Sequence, residues 1–503
     1  MHTLHDQHVL ILGLGKSGLA MARWCVREGA RVTVADTRAE PPQLAALQAE
    51  LPQVDFVAGE FSNALPDGVQ AVYRSPGLTP EQVEPVLEAA KNSGIAAGGE
   101  LSLFADALAR LKEEQGYAPA VLAVTGTNGK TTVTSLTGQL IERGGRSVAV
   151  AGNIGPTLLD TLAEKLDSES LPQVWVIELS SFQLEAAGGF EPTAAAVLNV
   201  TQDHLDWHGS MDAYANAKSR VFGQSALMVL NREDALVMKM LPAPVRLKGG
   251  KYEQRAHFMF GADMPHRPGD YGIEVVNGMA WLVRALDADE TQRSRKGEEQ
   301  ELHFQRLMPA DALRIRGRHN AVNALAALAL ATAAGCALGP MLFGLREYRG
   351  ESHRVQPVGI VNGIEYFDDS KGTNVGATAA ALIGLGAERK VVVILGGEGK
   401  GQDFSPLADP VSRHVRAAVL IGRDAQLIRA AVAASGVPLI DAASMEEAVR
   451  LATEHAQSGD AVLMSPACAS FDMFRNYGHR ADMFREAVRA IADEAGIVLE
   501  VQS

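Results

Sequence analysis

The sequence predicts an α/β protein in three domains, and three observations carry that prediction. Short apolar strands alternate with helical patterns along most of the chain, as a parallel sheet with crossover helices requires. Twice such a strand runs into a glycine loop that re-emerges as a helix, at Gly13-Leu14-Gly15-Lys16-Ser17-Gly18 and at Gly126-Thr127-Asn128-Gly129-Lys130-Thr131-Thr132. The 503 residues also exceed what one hydrophobic core usually serves.

The first domain, residues 1–105, opens with a strand at 9–12, the first glycine loop and a second strand at 32–35 closed by Asp36. That order predicts a Rossmann-like fold and admits a nicotinamide-dependent oxidoreductase. Ser75-Pro76-Gly77 follows another strand end, as a turn toward the same ligand. Residues 106–118 mix a helical stretch with Lys112-Glu113-Glu114-Gln115-Gly116 and read as a polar connection crossed by few contacts.

The central domain, 119–315, has strands expected at 121–124, 148–151, 174–177, 195–200 and 227–230. Its glycine loop makes it P-loop ATPase-like, and a hairpin at 273–283, turning at Asn277-Gly278, adds an antiparallel accessory portion. Residues 287–300 are almost wholly polar and read as a mobile surface insertion. The third domain, 316–503, opens at Arg318-His319-Asn320, with Asn320 expected to cap an alanine-rich helix. Strands at 365–367, 391–395, 418–421 and 461–464 predict a second Rossmann-like sheet.

Composition excludes several classes. A content of 47% hydrophobic and 21% charged residues suits a soluble globular protein, and a net charge of −14 argues against a nucleic-acid partner. Three widely spaced cysteines, Cys25, Cys336 and Cys468, support neither a disulfide framework nor a cysteine-rich metal site. They fit a reduced cytoplasm, as does an N-terminus that passes into its first strand without the regions of a signal peptide. Residues 324–345 carry no charge over a bilayer-spanning length. Gly335 and Gly339-Pro340 break that stretch, so buried packing is expected rather than membrane insertion.

The second glycine loop is a phosphate cradle. Backbone N–H groups of the loop and helix start face the phosphates, Lys130 reaches the terminal ones, and the Thr131 hydroxyl can ligate Mg²⁺. The strand at 174–177 ends in Glu178, a carboxylate at the same sheet edge. The strand at 195–200 runs into Thr201-Gln202-Asp203-His204-Leu205-Asp206, where His204 reads as a structural residue or as a ligand to a second Mg²⁺. Taken alone, Lys218 in a helix at 211–222 is a solvated lysine, and Asn153, Asn231, Asn320 and Asp369 are turn or cap residues.

The loop Gly126-x-x-Gly129-Lys130-Thr131-Thr132 and the run Asn199-Val200-Thr201-Gln202-Asp203-His204-Leu205-Asp206 together resemble the Mur ligase and folylpolyglutamate synthetase superfamily. Those enzymes use ATP to couple a carboxylate to an amino acid. The resemblance is strongest over 121–220 and 365–480 and weakest over 240–310. It implies that ATP is held by Gly126, Thr127, Asn128, Gly129, Lys130, Thr131, Thr132, Asn231, Asn320 and Asp369. It further implies two Mg²⁺ ions on Thr131, Glu178, His204 and Lys218, the last carbamylated by CO₂, with Lys130, Glu178, His204 and Lys218 catalytic. The first domain would grip the UDP of a precursor through Ser17, Asp36, Thr37, Arg38 and Ser75, with Asn153 also on that substrate.

Ser465-Pro466-Ala467-Cys468-Ala469-Ser470, continuing to Asn476-Tyr477, narrows the likeness to the branch that joins D-glutamate to UDP-N-acetylmuramoyl-L-alanine. Thr373 and Lys400 would hold one carboxylate of D-glutamate, and Ser470 and the backbone near Tyr477 the other. The chain lacks the Asp-Asn-Pro-Arg motif of the diaminopimelate- or lysine-adding relatives, and it has Glu398 where another acid is common. The implied reaction runs through an acyl phosphate, in peptidoglycan precursor synthesis, by a cytoplasmic monomer. The alternatives are another amide ligase of the superfamily, the oxidoreductase, and a P-loop switch that binds ATP without consuming an amine.

Overall fold

The computed structural model describes residues 4–62, 65–248, 250, 252–288, 301–387 and 389–499. Three parallel sheets follow one another along it. The first holds β1 (His8–Leu12), β2 (Arg31–Asp36), β3 (Asp55–Ala58), β4 (Val69–Arg74) and β5 (Ala96–Gly98) in the order β3-β2-β1-β4-β5. The order reverses direction at β1, which opens a crevice at the carboxyl end where the first glycine loop emerges.

The second sheet contains β6 (Ala120–Thr125), β7 (Val148–Gly152), β8 (Val174–Glu178), β9 (Ala194–Val197) and β10 (Leu227–Asn231). After a short pair, β11 (Val245–Arg246) and β12 (Tyr252–Glu253), β13 (His257–Phe260) completes it in the order β13-β10-β9-β6-β8-β7. β6 is flanked by β8 and β9, so the loops after these three strands converge. The hairpin β14 (Tyr271–Val276) and β15 (Met279–Asp287) turns at Asn277-Gly278, both at positive φ, and pairs with β16 (Leu302–Pro309) as a separate antiparallel sheet. Most of the polar insertion expected at 287–300 lies outside the described residues; Asp287 itself closes β15.

The third sheet comprises β17 (Gln356–Val361), β18 (Ile364–Asp368), β19 (Val391–Gly396), β20 (Val415–Ile421), β21 (Leu439–Asp441) and β22 (Ala461–Met464). Its order is β17-β18-β22-β19-β20-β21, parallel except for the edge hairpin β17-β18. The loops leaving β18, β22 and β19 are therefore neighbours.

Two expectations need correction. Residues 106–118 are not a sparse connection, because Glu100–Gln115 is one helix ended by Gly116 in the left-handed region, φ +69°. It buries Leu101, Phe104, Ala107 and Leu111, and the Phe104 ring meets Trp175 of β8 edge-on at 5.1 Å. One apolar core thus runs from β1 through this helix into the second sheet. The charged Lys112-Glu113-Glu114 is its solvated last turn.

Nor does Asn320 cap its helix. The helix Arg318–Ala333 starts after Gly317, and Asn320 lies in its first turn, donating from Nδ2 to the Arg316 carbonyl at 2.8 Å. Its alanine and leucine side chains from Ala324 to Ala331 are wholly buried, packed on the helix Lys130–Arg143 of the second sheet. The core of the central unit therefore continues past residue 315. Among the described residues no helix is long and apolar enough to cross a membrane. Cys25, Cys336 and Cys468 are buried free thiols.

Candidate active site

The second glycine loop joins β6 to the helix Lys130–Arg143 through Gly126 at φ +149° and Gly129 at φ +84°. A side chain at either position would be strained, and no side chain caps the helix start. Lys130 folds back, its Nζ donating to the carbonyls of Gly126 (3.0 Å) and Thr127 (2.9 Å). Lys218, fully buried, donates to the same Gly126 carbonyl at 2.9 Å, its Nζ 4.4 Å from the centre of the Tyr214 ring. Burial lowers the pKa of both lysines; Glu178 opposes this at Lys130, and the Lys130 charge pushes Lys218 down further. The expectation of a solvated Lys218 on its own sequence is thereby overturned.

Glu178 ends β8, buried beside the loop. Its Oε1 accepts from Asn153 Nδ2 at 2.7 Å, and its Oε2 is buried without a hydrogen-bond partner. From β9, Asn199 clamps the loop by exchanging hydrogen bonds with Asn128, 2.8 and 3.1 Å, and Thr127 bonds the Thr201 carbonyl. His204 follows at φ +52°, exposed at 42% of its side chain, with its ring 4.8 Å from Phe182 and its pKa lowered by partial desolvation. Among the described residues no three His, Cys, Asp or Glu form a ready metal cage. What the loop offers a hard cation is oxygen: the Thr131 hydroxyl and the orphaned Oε2 of Glu178.

The third unit reaches this loop. Arg354 Nη2 donates to Thr131 Oγ1 at 2.5 Å, and the side-chain amides of Asn374 and Asn128 pair at 3.1 Å, with Asn374 also bonding Asp203 at 3.2 Å. Between the units lies a cavity of about 110 Å³, lined in part by Asn128, Gly129, Asn320, Asn323, Arg354 and Asp369. Asp369 is buried, accepting from Ser465 Oγ (2.6 Å) and Val355 N–H (3.2 Å), and burial pushes its carboxyl up to about 7. Asn231 does not line this cavity; its amide is spent on Leu198 and Glu233. Arg354 and Asn323 sit in no motif whose spacing announces them, while Asn199, in the run before His204, and Lys371 and Asn374, in the turn after β18, lie inside recognisable segments whose spacing gives them no separate role.

Beyond the cavity, three loops from the third sheet carry the remaining candidates. Thr373 follows β18, Lys400 follows β19 at φ +53°, and Ser470, buried, follows β22. Backbone bonds between Glu398 and Ala469 (3.0 and 2.9 Å) and from Ala467 N to the Gly372 carbonyl (2.9 Å) tie these loops together. Tyr477 starts the helix Tyr477–Glu494, and Lys371 Nζ lies 4.0 Å from the centre of its ring.

The first glycine loop is closed on itself. Asp36, fully buried, accepts from Leu14 N–H at 2.7 Å and grips Arg38 through its backbone and guanidinium at 2.8–2.9 Å. Burial pushes this carboxyl up, but Arg38 and the two N–H groups outweigh it and hold it at about 2. Ser75 Oγ donates to the Gly13 carbonyl at 2.8 Å, and Ser17 bonds the buried Glu100. Thr37 is half-buried beside them. Trp207, a turn after His204, donates to the Leu78 carbonyl at 3.1 Å and so ties this crevice to the second loop.

Three family models match the chain: the Mur ligase MurD-like N-terminal domain over residues 7–99, the Mur ligase middle domain over 124–331, and the Mur ligase glutamate ligase domain over 353–468. A UDP-N-acetylmuramoylalanine–D-glutamate ligase of Albidiferax ferrireducens is 70% identical, with 99% of each chain covered. One from Polaromonas is 60% identical, covering 99% of this chain and all of its own. Among solved structures, the MurF ligase of Thermotoga maritima in complex with ADP aligns at TM-score 0.56 and 14% identity, over 98% of this chain and 99% of its own. The UDP-N-acetylmuramate-alanine ligase of the same organism aligns at 0.53 and 20%, over 96% and 100%; both show the shared fold.

Proposed function

The chain belongs to the Mur ligase family, and from that premise we propose that it joins D-glutamate to UDP-N-acetylmuramoyl-L-alanine, with ATP cleaved to ADP and phosphate, in peptidoglycan precursor synthesis. The observation that carries this reading is the 70% identity to a ligase of that name across 99% of both chains. Its geometry supplies what such a reaction needs. A carboxylate is a poor acyl donor, so the L-alanine carboxylate attacks the γ-phosphorus, ADP leaves, and an acyl phosphate forms. The amine of D-glutamate then attacks the acyl carbon, phosphate leaves and the amine gives up a proton.

Lys130 precedes Thr131 on the loop, Arg354 donates to the Thr131 hydroxyl, and Lys371 is close enough to feel both charges, three cations for the charge of the transferring phosphoryl group. Mg²⁺ supplies charge neutralisation and orientation of the phosphates, and Thr131, Glu178, His204 and a carbamylated Lys218 are the residues assigned to two ions. The depressed pKa of Lys218 supports that assignment, because only a neutral amine adds CO₂. A ¹³C-bicarbonate NMR spectrum without a carbamate signal would remove it. Thr373, Lys400, Ser470 and the backbone at Tyr477 receive the two carboxylates of the incoming amino acid. Asn128, Asn320 and Asp369 hold ATP beside the loop, and Ser17, Thr37, Arg38, Ser75 and Asn153 hold the UDP precursor. We assign the protein to the cytoplasm as a monomer.

Phosphate release measured with ATP, the UDP-linked precursor and D-glutamate, L-glutamate, L-alanine, L-lysine or meso-diaminopimelate tests the reading. Turnover is expected with D-glutamate alone; preference for another amino acid would refute it.

A further inference from the structure

Gln402 lies just beyond Lys400 and uses its whole side-chain amide. Its Nε2 donates to the carbonyls of Gly399 and Ala467, each at 3.0 Å, and its Oε1 accepts from the Val375 N–H at 2.9 Å. Two carbonyls at one end and an N–H at the other fix which way the amide points. Gly399 and Ala467 lie in the loops that leave β19 and β22, and Val375 opens the helix at the end of the loop that leaves β18, the strands lying side by side in the third sheet. Those loops carry Lys400, Ser470 and Thr373.

The Glu398–Ala469 bridge already joins the first two loops at their base. The Ala467–Gly372 backbone bond joins the third, and Gln402 alone bonds all three with one side chain and pins the turn in which Lys400 sits at φ +53°, a conformation a lysine holds only when its surroundings impose it. Both hydrogen-bonding ends of the amide are used internally, so its action on a substrate is through the groups it holds. A dicarboxylate must meet donors at both ends at once, and the spacing of those donors decides which chain length fits.

We propose that Gln402 is a positioning residue that sets the separation between the Thr373–Lys400 pair and Ser470, and thereby selects the length of the incoming amino diacid. The identity of that diacid rests on the D-glutamate reading above. The test compares the full chain with Gln402→Met, which keeps the volume but loses the bonds, and Gln402→Glu, which cannot donate to the two carbonyls. The KM for D-glutamate should rise about tenfold in both, since two or three hydrogen bonds at a specificity site are lost. The KM values for ATP and the UDP precursor should stay within about twofold, and the preference for D-glutamate over D-aspartate should fall several-fold.

Amide hydrogen exchange in residues 396–402 and 466–470 should quicken in the same variants. An unchanged KM for D-glutamate with unchanged exchange in Gln402→Met would overturn the proposal. So would an equal rise of all three KM values, which marks general loss of structure. If the unmodified protein turns over with another amino acid, the D-glutamate reading falls, and the exchange rates still decide whether Gln402 clamps the loops.

Discussion

The two strand–glycine–helix turns of this chain look equally capable in sequence, yet the structure treats them differently. In the first, the buried charge is satisfied internally: Asp36 is spent on Leu14 and Arg38, and Ser75 holds the Gly13 carbonyl, while Lys16 lies exposed to solvent. In the second, two lysines crowd one carbonyl, a carboxylate oxygen of Glu178 is buried unpaired, and an arginine arrives from another unit. On the proposed reading, unpaired buried charge belongs to the loop that handles phosphoryl transfer, and the loop whose buried groups are satisfied holds a ligand that does not react there. The acid that a dehydrogenase would turn to a ribose is already engaged, which weighs against the oxidoreductase reading.

Breaking the second loop should cost the most activity and little stability. Lys130→Ala removes a cation aimed at transferring charge, so kcat should fall by about 10³-fold or more. Circular dichroism and thermal unfolding should remain close to those of the unmodified protein, because the lysine is not part of an apolar core. Breaking the first loop should do the reverse. A methyl at Gly18 would stand 2.0 Å from the Gly13 carbonyl oxygen, a backbone atom that cannot swing aside, so Gly18→Ala should lower stability by about 2–3 kcal/mol in denaturant unfolding. Any residual folded enzyme should keep its kcat.

A smaller effect sharpens the contrast by pH. With Asp36 held at about 2 against an ordinary value near 4, its contribution is complete above the unfolded pKa and is lost as pH falls through 2. Because Arg38 is half exposed, that contribution is about 1 kcal/mol. Acid titration of unfolding free energy for Asp36→Asn against the unmodified chain should show the gap closing between pH 4 and 2. A gap that stays constant would remove the internal ion pair from the account.

What could be read beforehand follows from local periodicity. β6, β8, β19 and β22 are continuous apolar runs bounded by turns, and such buried parallel strands announce themselves. β17 did not, since Gln356-Pro357 opens an edge strand, and the three-residue β5 and β21 are too short to carry a pattern. Lys112-Glu113-Glu114 looked like a linker because the solvated face of a helix has the composition of a loop. At the site, the loop residues and Glu178 were legible because strand ends place them. Arg354 and Gln402 were not, since their partners, Thr131 and Ala467, lie far away in sequence and only the packing of units joins them.

On the proposed reading, phosphoryl transfer takes place where Arg354 of the third unit meets Thr131 of the second loop. A rapid-quench experiment with ATP and UDP-N-acetylmuramoyl-L-alanine, with D-glutamate omitted, isolates that step as ADP formed in a single burst. The unmodified protein should release about one ADP per molecule, and Arg354→Ala should slow the burst by about 100-fold, the effect of removing one preorganised charge contact. A burst of unchanged rate in Arg354→Ala, with the protein folded, would contradict the claim.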